Sequence, residues 1–479
     1  MKFVLGIDVG THGVRILAYD LDSKKVVKRI KRDYFRENIS HGHQEMDALD
    51  LKSTFFQCIH DLDFTEKDKV LALGITHQRG TIIPIDKELK PLAAAICDSD
   101  ERAIAADEIE KYGITENEYY NITGCPLVSF NGMSKILWFM ENERELFDSA
   151  YSWLSPQDYL ISTLLNEVTT THGSILRNGY YNIAERKAAD NIFGQKTPNF
   201  IRLKSRGLGE KLGIIKPWND MPRWLEGAYV VSVPGDQPCG LIGSGAANKG
   251  DIAMNLGTTF VLSLLSEKYF LGNKKITNEI LPGGYYAPEF GSGAGGQFMD
   301  WVARLLYGTT DLDSGWQELD DIAQTIPPGS HDLHIIPLLW QVTSPNIQGG
   351  IKRISSIHTK AHIVRAAYEG LAYEAKISLE TIEEAGNTSD IRVYGGMSRL
   401  SGFLQILSSV TNKKIIVSKE GEASALGAAL VSAVAVHSFD NIIEASKSRQ
   451  DKVANIIRPN AMEVDYYERG FKKYKGERA

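Results

Sequence analysis

Apolar and polar positions alternate in blocks that predict strands and helices in turn along the chain. An almost continuous apolar run opens the sequence, which is typical of a buried parallel strand. Two further strands follow after short turns, and later segments show a hairpin pattern or helical periodicity. The strand segments are "KFVLGIDVG" (2–10), "GVRILAYDLD" (13–22) and "KKVVKRIKRDY" (24–34); the hairpin is "TIIPIDKELKPLAAAI" (81–96); the helical segments are "MSKILWFMENERELFDSA" (133–150), "HIVRAAYEGLAYEAKISLETIEEAG" (362–386) and "ALGAALVSAVAV" (425–436). Interleaved strands and helices predict an α/β fold.

A short pattern occurs twice, once near the start of each half. "LGIDVGTHGVRIL" (5–17) and "AMNLGTTFVLSLL" (253–265) each contain an apolar strand, one polar residue, Gly-Thr and a return strand. Gly10-Thr11 therefore corresponds to Gly257-Thr258. We expect a duplicated domain with the junction near residues 243–250, which divides the chain into domains 1–244 and 245–479.

Length and charge restrict the function classes. A chain of 479 residues is too long for one core, so two domains are expected. The formal net charge of -7 argues against a general nucleic-acid binder, which needs a basic face. The four cysteines have no paired spacing, the N-terminus has no signal-peptide pattern, and the longest apolar stretch is too short and Ala-rich to span a bilayer. These features predict a cytoplasmic protein without membrane or nucleic-acid partners.

Two aspartates lie at positions where a carboxylate needs a functional or structural explanation. Asp8 lies inside the first apolar strand, where it is costly unless a cation or a hydrogen-bond donor meets it. Asp236 and Gln237 follow the strand "AYVVSV" in "VPGDQPCG". Taken alone, each aspartate is also explained as an ordinary turn residue.

Two glycine-rich segments open predicted helices. In "GSGAGGQFMDWVARLLYG", Gly291, Gly293 and Gly296 follow the G-x-G-x-x-G order of a dinucleotide site. The helix leads to the loop "YGTTDLDSG" (307–315), not to a strand ending in an acid, which argues against a nicotinamide oxidoreductase. "VYGGMSRLSGFLQILSSVTN" again places Gly395-Gly396 between a strand and a helix, either as a plain turn or for close approach to a ligand.

Taken together, these segments resemble the FGGY family of carbohydrate kinases, which includes glycerol kinase, xylulokinase and gluconokinase. The resemblance runs from residue 4 to about residue 436. Its motifs, in collinear order, are "GIDVGTHGVR" (6–15), "GHQEMD" (42–47), "GITHQRG" (74–80), "DSDER" (98–102), "KILWFMEN" (135–142), "PGDQ" (234–237), "NLGTT" (255–259), "AGGQFMDW" (294–301), "HTKAHIVRAAYEGLAY" (358–373), "YGGMSRLSGFLQILSSVTN" (394–412) and "EASALGAAL" (422–430). It implies two actin-like (ribonuclease-H-like) ATPase domains with a central cleft, and transfer of the γ-phosphate of ATP to a sugar or polyol hydroxyl.

The resemblance also implies roles for residues in both domains. Asp236 would be the general base, Asp8 and Asp236 would flank the Mg²⁺-bound γ-phosphate, and Gln237 would bind a substrate hydroxyl. The residues implied to bind ATP are Gly10, Thr11, His12 and Arg15 from the first domain, and Gly257, Thr258, Gly296, Gly395, Gly396 and Leu400 from the second, with Ser398 nearby. His12 departs from the usual Thr or Ser and is equally well explained as a surface turn residue. Leu400 departs from the Asn of glycerol kinases. Lys135, Trp138, Arg365 and Glu369 are expected to serve packing and ion pairs.

The substrate pocket is implied by "THQRGT", which resembles the "NQRET" stretch with which glycerol kinases bind glycerol. Arg79 would contact a substrate hydroxyl, whereas Gly80 replaces the glutamate of that site and Asp98 its tryptophan. Asp98 would accept a hydrogen bond from an additional sugar hydroxyl. These replacements favour a ketopentose or a polyol larger than glycerol. His77, Gln78 and Phe130 are further pocket candidates, each equally explained by a structural role. Glycerol as substrate and a non-catalytic sugar-binding regulator remain alternatives, and a homodimer is left open.

Overall fold

The computed structural model describes residues 1–40, 42–103, 106–189, 191–193, 205–217, 221–308, 312–339 and 348–478. The strands are β1 Lys2–Gly10, β2 Gly13–Asp20, β3 Lys25–Asp33, β4 Glu37–Ser40, β5 His43–Met46, β6 Lys69–His77, β7 Ile83–Ile85, β8 Ala95–Ile96, β9 Ser152–Leu154, β10 Thr170–Thr171, β11 Tyr181–Asn182, β12 Lys187–Ala188, β13 Ser205–Arg206, β14 Lys211–Ile214, β15 Tyr229–Val231, β16 Ile252–Leu256, β17 Phe260–Leu264, β18 Thr277–Ile280, β19 Tyr286–Phe290, β20 His334–Ile336, β21 Gly350–Lys352, β22 Ile391–Tyr394, β23 Ile415–Ser418 and β24 Val453–Ile457. The helices are α1 Ala48–Asp61, α2 Glu116–Thr123, α3 Gly132–Asn142, α4 Arg144–Ser149, α5 Pro156–Leu165, α6 His172–Arg177, α7 Asp236–Gly243, α8 Gly296–Tyr307, α9 Leu312–Ala323, α10 Lys360–Glu383, α11 Ser401–Thr411, α12 Ala423–Ala435, α13 Ile442–Lys447 and α14 Ala461–Arg478.

The chain forms two compact units that are not contiguous in sequence. Unit 1 contains residues 1–243, 267–287 and 424–448, and unit 2 contains residues 244–266, 288–423 and 449–479. Hydrogen bonds attach the two later segments, 267–287 and 424–448, to the rest of unit 1. The Tyr120 hydroxyl donates to the Asn273 and Ile276 carbonyls, each at 2.8 Å, and the Ser446 hydroxyl donates to the Ile242 carbonyl at 2.8 Å.

Unit 1 is built around a mixed sheet with the strand order β14-β15-β6-β1-β2-β3. β1, β2 and β3 form an antiparallel meander, as the sequence predicts, while β6 pairs parallel with β1 and β15 pairs parallel with β6. Consecutive residues of β1 from Phe3 to Val9 are buried, because the sheet is covered on both faces. Because β1, β6 and β15 run parallel, their carboxyl ends share one edge of the sheet.

The main sheet of unit 2 repeats this arrangement. β16 pairs antiparallel with β17 and parallel with β22, as β1 does with β2 and β6. Asn255 of β16 lies beside Tyr394 of β22, and Asp8 of β1 lies beside Thr76 of β6. The repeated sequence pattern therefore corresponds to a repeated strand topology, and the α/β prediction is confirmed.

Local details differ from the sequence-based expectations at two places. The predicted hairpin at 81–96 is held only by the isolated bridges Ile82–Ile96 and Ile85–Pro91, since β7 pairs with β9 and β8 with β5. The predicted helix at 133–150 is interrupted near Glu143 and forms α3 and α4. No described helix combines the length and hydropathy needed to cross a membrane. The four cysteines are buried free thiols.

Candidate active site

The shared carboxyl edge of the unit 1 sheet brings Asp8 and Asp236 together. Asp8 pairs in register with Thr76, whose hydroxyl donates to the carbonyl oxygen of Pro234 at 2.9 Å. Pro234 stands two residues before Asp236, the first residue of α7. The buried Cys239 thiol donates to the same Pro234 carbonyl oxygen at 3.3 Å, and burial raises its pKa.

Asp236 is held by three donors. Its Oδ1 accepts from Arg79 Nε at 2.8 Å and from the backbone N–H of Gln237 at 2.9 Å. Its Oδ2 accepts from Gln237 Nε2 at 3.1 Å. The side chain of Asp236 remains 24% exposed, whereas that of Arg79 is only 7% exposed. A partly accessible carboxylate at the amino end of a helix is well suited to meet a polar ligand while its negative charge is favoured by the helix dipole.

Arg79 connects Asp236 to a residue that the sequence analysis does not identify. Its Nη1 donates to Oε1 of Glu279, which is completely buried on β18. The signal that singles out Asp8, an acid within an apolar strand, does not apply to Glu279, because its strand "TNEI" is short and mostly polar.

Asp8 and the first glycine-threonine turn are held by basic and phenolic side chains. Arg15 Nη1 lies 3.6 Å from Asp8 Oδ2, across the β1–β2 pair. The Tyr34 hydroxyl donates to the carbonyl oxygen of Gly10. In the turn between β1 and β2, Thr11 is half-buried and His12 is exposed. Desolvation first, and the guanidinium groups of Arg36 and Arg15 second, lower the pKa of His12 even though its side chain is exposed.

Arg36 is a second functional candidate that sequence reasoning missed, because no motif marks it. Its Nη2 binds Asp98 Oδ1 at 2.6 Å, and its Nη1 donates to the Thr11 carbonyl at 3.3 Å and to Gln78 Oε1 at 3.5 Å. Asp98, Gln78 and the first turn are thus joined through one guanidinium. The Asp98 carboxylate, assigned to a sugar hydroxyl from the sequence, is engaged in this ion pair and is 26% exposed.

Gly80 allows the chain to pass directly against Phe130. It adopts φ +94°, and an added Cβ would lie 1.8 Å from the Phe130 carbonyl oxygen. The same Cβ position lies 3.8 Å from Nζ of Lys135, which is fully buried. Burial lowers the pKa of Lys135 to about 8, against the opposing charges of Asp98 and Asp100. The Phe130 ring is half-buried beneath the Arg177 guanidinium, at 4.7 Å.

His77 belongs to the interior of unit 1. It is 1% exposed, and neither ring nitrogen has a hydrogen-bond partner among the described residues. Burial, followed by the charge of Arg79, lowers the pKa of His77 to about 3, so the ring is neutral at ordinary pH. Of its two candidate roles, the structural one fits this position better.

Three glycine turns converge within unit 2. The backbone N–H of Gly296 donates to the Gly257 carbonyl at 2.9 Å, and that of Gln297 donates to the Thr258 carbonyl at 3.1 Å. Gly395 adopts φ +94°, and an added Cβ there would lie 2.8 Å from Asn255 Oδ1. The start of α8 and the turn after β22 therefore both lie against the turn after β16, where backbone N–H groups can face an anion.

The side chain of Leu400 does not belong to this group of turns. It is 4% exposed and belongs to the hydrophobic core of unit 2, together with Met397 and Phe403. Gly396 is exposed in the same loop, and the Ser398 hydroxyl donates to the Gly395 carbonyl at 2.7 Å. Residues 309–311, in the loop that follows α8, lie outside the described residues.

Comparison with known proteins identifies the family. The model of the FGGY family of carbohydrate kinases, N-terminal domain, matches residues 3–243, and that of the C-terminal domain matches residues 252–436. The chain belongs to the FGGY family of carbohydrate kinases. It is therefore a phosphotransferase with an alcohol group as acceptor, and ATP is the phosphoryl donor that this family implies.

Relatives of this FGGY kinase cover it almost completely. The xylulose kinase of Haemophilus influenzae is 25% identical over 500 residues, covering 98% of each chain. The ligand-bound xylulose kinase structure from Lactobacillus acidophilus has a TM-score of 0.87 at 20% identity, covering 100% of this chain and 98% of the other. The Plasmodium falciparum glycerol kinase structure with ADP has a TM-score of 0.82 at 20% identity, with 100% and 98% covered. The actin-like ATPase fold expected from the sequence is confirmed.

Proposed function

We propose that this FGGY kinase phosphorylates a ketopentose or a polyol larger than glycerol, with Asp236 as the general base. The observation that carries the assignment is the position of the Asp236 carboxylate. It lies at the carboxyl edge of the unit 1 sheet, connected to Asp8 through Thr76 and Pro234, and it remains partly exposed. Ligands of open α/β sheets characteristically bind at this edge.

In the proposed reaction, Asp236 accepts the proton of a substrate hydroxyl as its oxygen attacks the γ-phosphorus. The bond to the β-phosphate oxygen breaks, ADP leaves, and the proton passes from Asp236 to solvent. A positioned base of this kind contributes about 10²–10⁴-fold in rate. Phosphoryl transfer otherwise depends on charge stabilisation and orientation, which we assign in unit 1 to Gly10, Thr11, His12 and Arg15.

For unit 2 we propose that Gly257 and Thr258 bind phosphate, and that Gly296, Gly395 and Gly396 accommodate the adenosine end of ATP. The convergence of these three turns supports this assignment, since closely approaching glycine backbone suits a ligand that must lie against the main chain. Any contact between Leu400 and ATP would come from its backbone. That both sets of turns serve one nucleotide stays a prediction, as does the division of roles at residue 244.

The carboxylates of Asp8 and Asp236 fit a magnesium ion. No cluster of three or more potential metal ligands occurs among the described residues. Two carboxylates are nevertheless sufficient, because Mg²⁺ in kinases commonly binds one or two protein carboxylates, substrate phosphates and water. When bound, the ion neutralises negative charge on the phosphate oxygens. Asp8, held near Arg15, and Asp236, held by Arg79, would orient it.

The proposed substrate preference rests on the replacement of two residues of a glycerol site by Gly80 and Asp98. In place of the glutamate expected for a glycerol site, the chain has a glycine whose backbone lies against Phe130. We assign the hydrogen-bonding groups of Arg79, Asp98, Gln78 and Gln237 to the substrate, and His77 stays a weaker candidate. The xylulose kinases among the relatives act, by name, on a ketopentose. Glycerol remains the second candidate substrate.

The decisive experiment is a coupled ADP-release screen of the purified full-length chain against glycerol, tetritols, pentitols, ketopentoses, hexoses and aldonates. We expect a kcat/KM for a ketopentose or larger polyol at least about tenfold above that for glycerol, equivalent to about 1.4 kcal/mol. Preference for glycerol would contradict the substrate assignment. Sugar binding by calorimetry without turnover of any substrate would instead support the non-catalytic regulator. A cytoplasmic location and the homodimer stay predictions.

A further inference from the structure

The guanidinium of Arg36 binds acceptors from several separate segments of unit 1. Its side chain is only 6% exposed. Nε donates once, and Nη1 and Nη2 donate twice each; the acceptors are Cys97 Sγ at 3.2 Å, the Thr11 carbonyl at 3.3 Å, Gln78 Oε1 at 3.5 Å, Asp98 Oδ1 at 2.6 Å and Ser99 Oγ at 3.3 Å. These contacts account for the five N–H groups of a guanidinium. Arg36 therefore has no donor left for the second oxygen of Asp98.

Asp98 is consequently held through one carboxylate oxygen while the other stays available. No described residue donates a hydrogen bond to its Oδ2, and the side chain is 26% exposed. The backbone of Asp98 is fixed as well, because its N–H donates to Thr81 Oγ1 at 3.0 Å and its carbonyl accepts from Nζ of Lys135 at 3.4 Å. An accessible oxygen on a side chain that is held in this way is preorganised to accept a hydrogen bond from a ligand.

A second arginine shows how an ion pair without a spare acceptor is arranged in this protein. Arg32 on β3 binds Asp61 with two nitrogens, Nε to Oδ2 at 2.5 Å and Nη2 to Oδ1 at 3.1 Å. This bidentate geometry is the one that guanidinium and carboxylate groups favour. It uses both oxygens of Asp61, whereas the pair of Arg36 and Asp98 leaves one carboxylate oxygen for another donor.

The segments that Arg36 contacts are those to which we assign ATP and the sugar. Thr11 belongs to the first glycine-threonine turn, and Gln78 belongs to the segment assigned to the substrate. Tyr34 supports the same arrangement, because its hydroxyl donates to the Gly10 carbonyl and accepts from Gln78 Nε2 at 3.3 Å. One guanidinium thus separates Asp98 from the turn assigned to phosphate. A carboxylate oxygen repels phosphate and accepts from a hydroxyl, so a sugar hydroxyl is the fitting ligand for Oδ2.

We infer that Arg36 is a positioning residue that determines specificity, because it holds Asp98 so that Oδ2 accepts a hydrogen bond from a sugar hydroxyl that glycerol lacks. Hydrogen bonds to an ionised acceptor are stronger than those between neutral groups. A site built to bind a hydroxyl also discriminates against the analogue without it, because the polar group of the site then loses its partner. This inference rests on the proposed preference for a ketopentose or a larger polyol.

The test compares the best sugar from the screen with its monodeoxy analogues, each lacking one hydroxyl other than the one that is phosphorylated. With the wild type we expect one analogue to show a kcat/KM at least about tenfold below that of the parent sugar. In Arg36→Met and in Asp98→Ala, this ratio should shrink to within about threefold for the same analogue. A general loss of folding lowers kcat/KM for the parent sugar and for every analogue alike, so it leaves the ratio unchanged.

Arg365→Met is the matched control for removing a buried, carboxylate-paired arginine. Arg365 lies in unit 2, its side chain is 8% exposed, and it binds Glu369 at 3.0 Å. We expect this variant to keep the wild-type ratio for every analogue. The double variant Arg36→Met/Asp98→Ala should reduce the ratio no further than either single variant does, because residues that act through one another are non-additive.

Four outcomes would each overturn the inference: no penalised analogue with the wild type, unchanged ratios in Arg36→Met or in Asp98→Ala, effects of these two variants at different hydroxyls, or an equal effect of Arg365→Met. Should Arg36→Met not fold, Arg36→Gln replaces it. The amide can still donate to neighbouring carbonyls but carries no charge to pair with Asp98, and wild-type ratios in that variant would overturn the inference.

Failure of the proposed function has a separate signature. If the wild type prefers glycerol, both proposals fail, because glycerol has no additional hydroxyl for Asp98. If the wild type prefers a larger substrate and Arg36→Met keeps every ratio, only the role of Arg36 is overturned. Unfolding midpoints, measured on every variant, show which losses of activity come from folding.

Discussion

The Thr76 hydroxyl donates a 2.9 Å hydrogen bond to the carbonyl oxygen of Pro234, 158 residues further along the chain. Thr76 is the register partner of Asp8, and Pro234 precedes Asp236 by two residues. This buried hydroxyl connects the strand next to one candidate carboxylate to the loop that carries the other. The buried amide of Gln157 supports the same connection, because its Nε2 donates to the carbonyl oxygens of Ile75 and Val233.

Thr76→Val should remove the Thr76 hydrogen bond while preserving the shape of the side chain. The Pro234 carbonyl would keep only the weak Cys239 thiol donor at 3.3 Å. We expect the free energy of unfolding to fall by about 1–3 kcal/mol, and kcat to fall by about 10- to 100-fold, as for a misplacement of up to 1 Å. Urea unfolding and steady-state ADP release measure the two effects. Thr76→Ser, which keeps the hydroxyl, should retain kcat.

Asp236→Asn should abolish turnover without removing ATP binding. The amide keeps the size of the side chain but cannot accept the substrate proton, so we expect kcat to fall by at least about 10²–10⁴-fold. ATP affinity, measured by calorimetry, should change much less. Asp33→Asn, at an exposed carboxylate, provides a control for loss of one negative charge. An Asp236→Asn enzyme with more than a tenth of wild-type kcat would exclude Asp236 as the base.

Gly80→Ala should destabilise unit 1 and weaken substrate binding. At φ +94° an alanine is strained, and its methyl group would meet the Phe130 carbonyl oxygen at 1.8 Å. The backbone strain alone costs about 1–3 kcal/mol. Thermal unfolding and the KM for the sugar report the two consequences. Gly315→Ala is the opposite case, because Gly315 lies within α9 with open space around it; it should raise stability by up to about 1 kcal/mol.

Asp158 should make stability depend on pH. Burial raises the pKa of this carboxyl from 3.8 to about 7, against hydrogen bonds from Thr170 and Ser174. Between these two values the folded state binds more protons than the unfolded state, so stability is lost as pH rises from about 4 to about 7. The loss amounts to about 4 kcal/mol at most, from about 1.4 kcal/mol per pKa unit.

Asp158→Asn isolates this effect. The variant should lose that component of the pH dependence, so the difference in unfolding free energy between the two proteins should change between pH 4 and 7 and be constant above pH 8. Urea unfolding at several pH values measures it. Parallel curves for the two proteins would show that Asp158 does not titrate in this range.

Some site residues were accessible to sequence reasoning because local chemistry marks them. Asp8 stands out as an acid in an apolar strand, and Gly10-Thr11 and Gly257-Thr258 repeat a pattern that is now seen as equivalent hairpins. The family motifs extend this to Arg79 and Asp236. No local pattern marks Arg36 or Glu279, because each is identified by a partner far away in the chain. Gln78 lies 42 residues from Arg36, and Arg79 lies 200 residues from Glu279.

The sequence by itself determined the α/β class, the duplicated strand pattern and the family, because hydrophobic periodicity and glycine-bearing turns are local properties of the chain. Only the tertiary structure decided that residues 267–287 and 424–448 belong to unit 1, and that Arg79 lies between Asp236 and Glu279. The physical reason is that such contacts are chosen by burial and charge pairing between segments far apart in the chain. A buried carboxylate must find a cation wherever the fold supplies one, and its own neighbours in sequence do not reveal which cation that is.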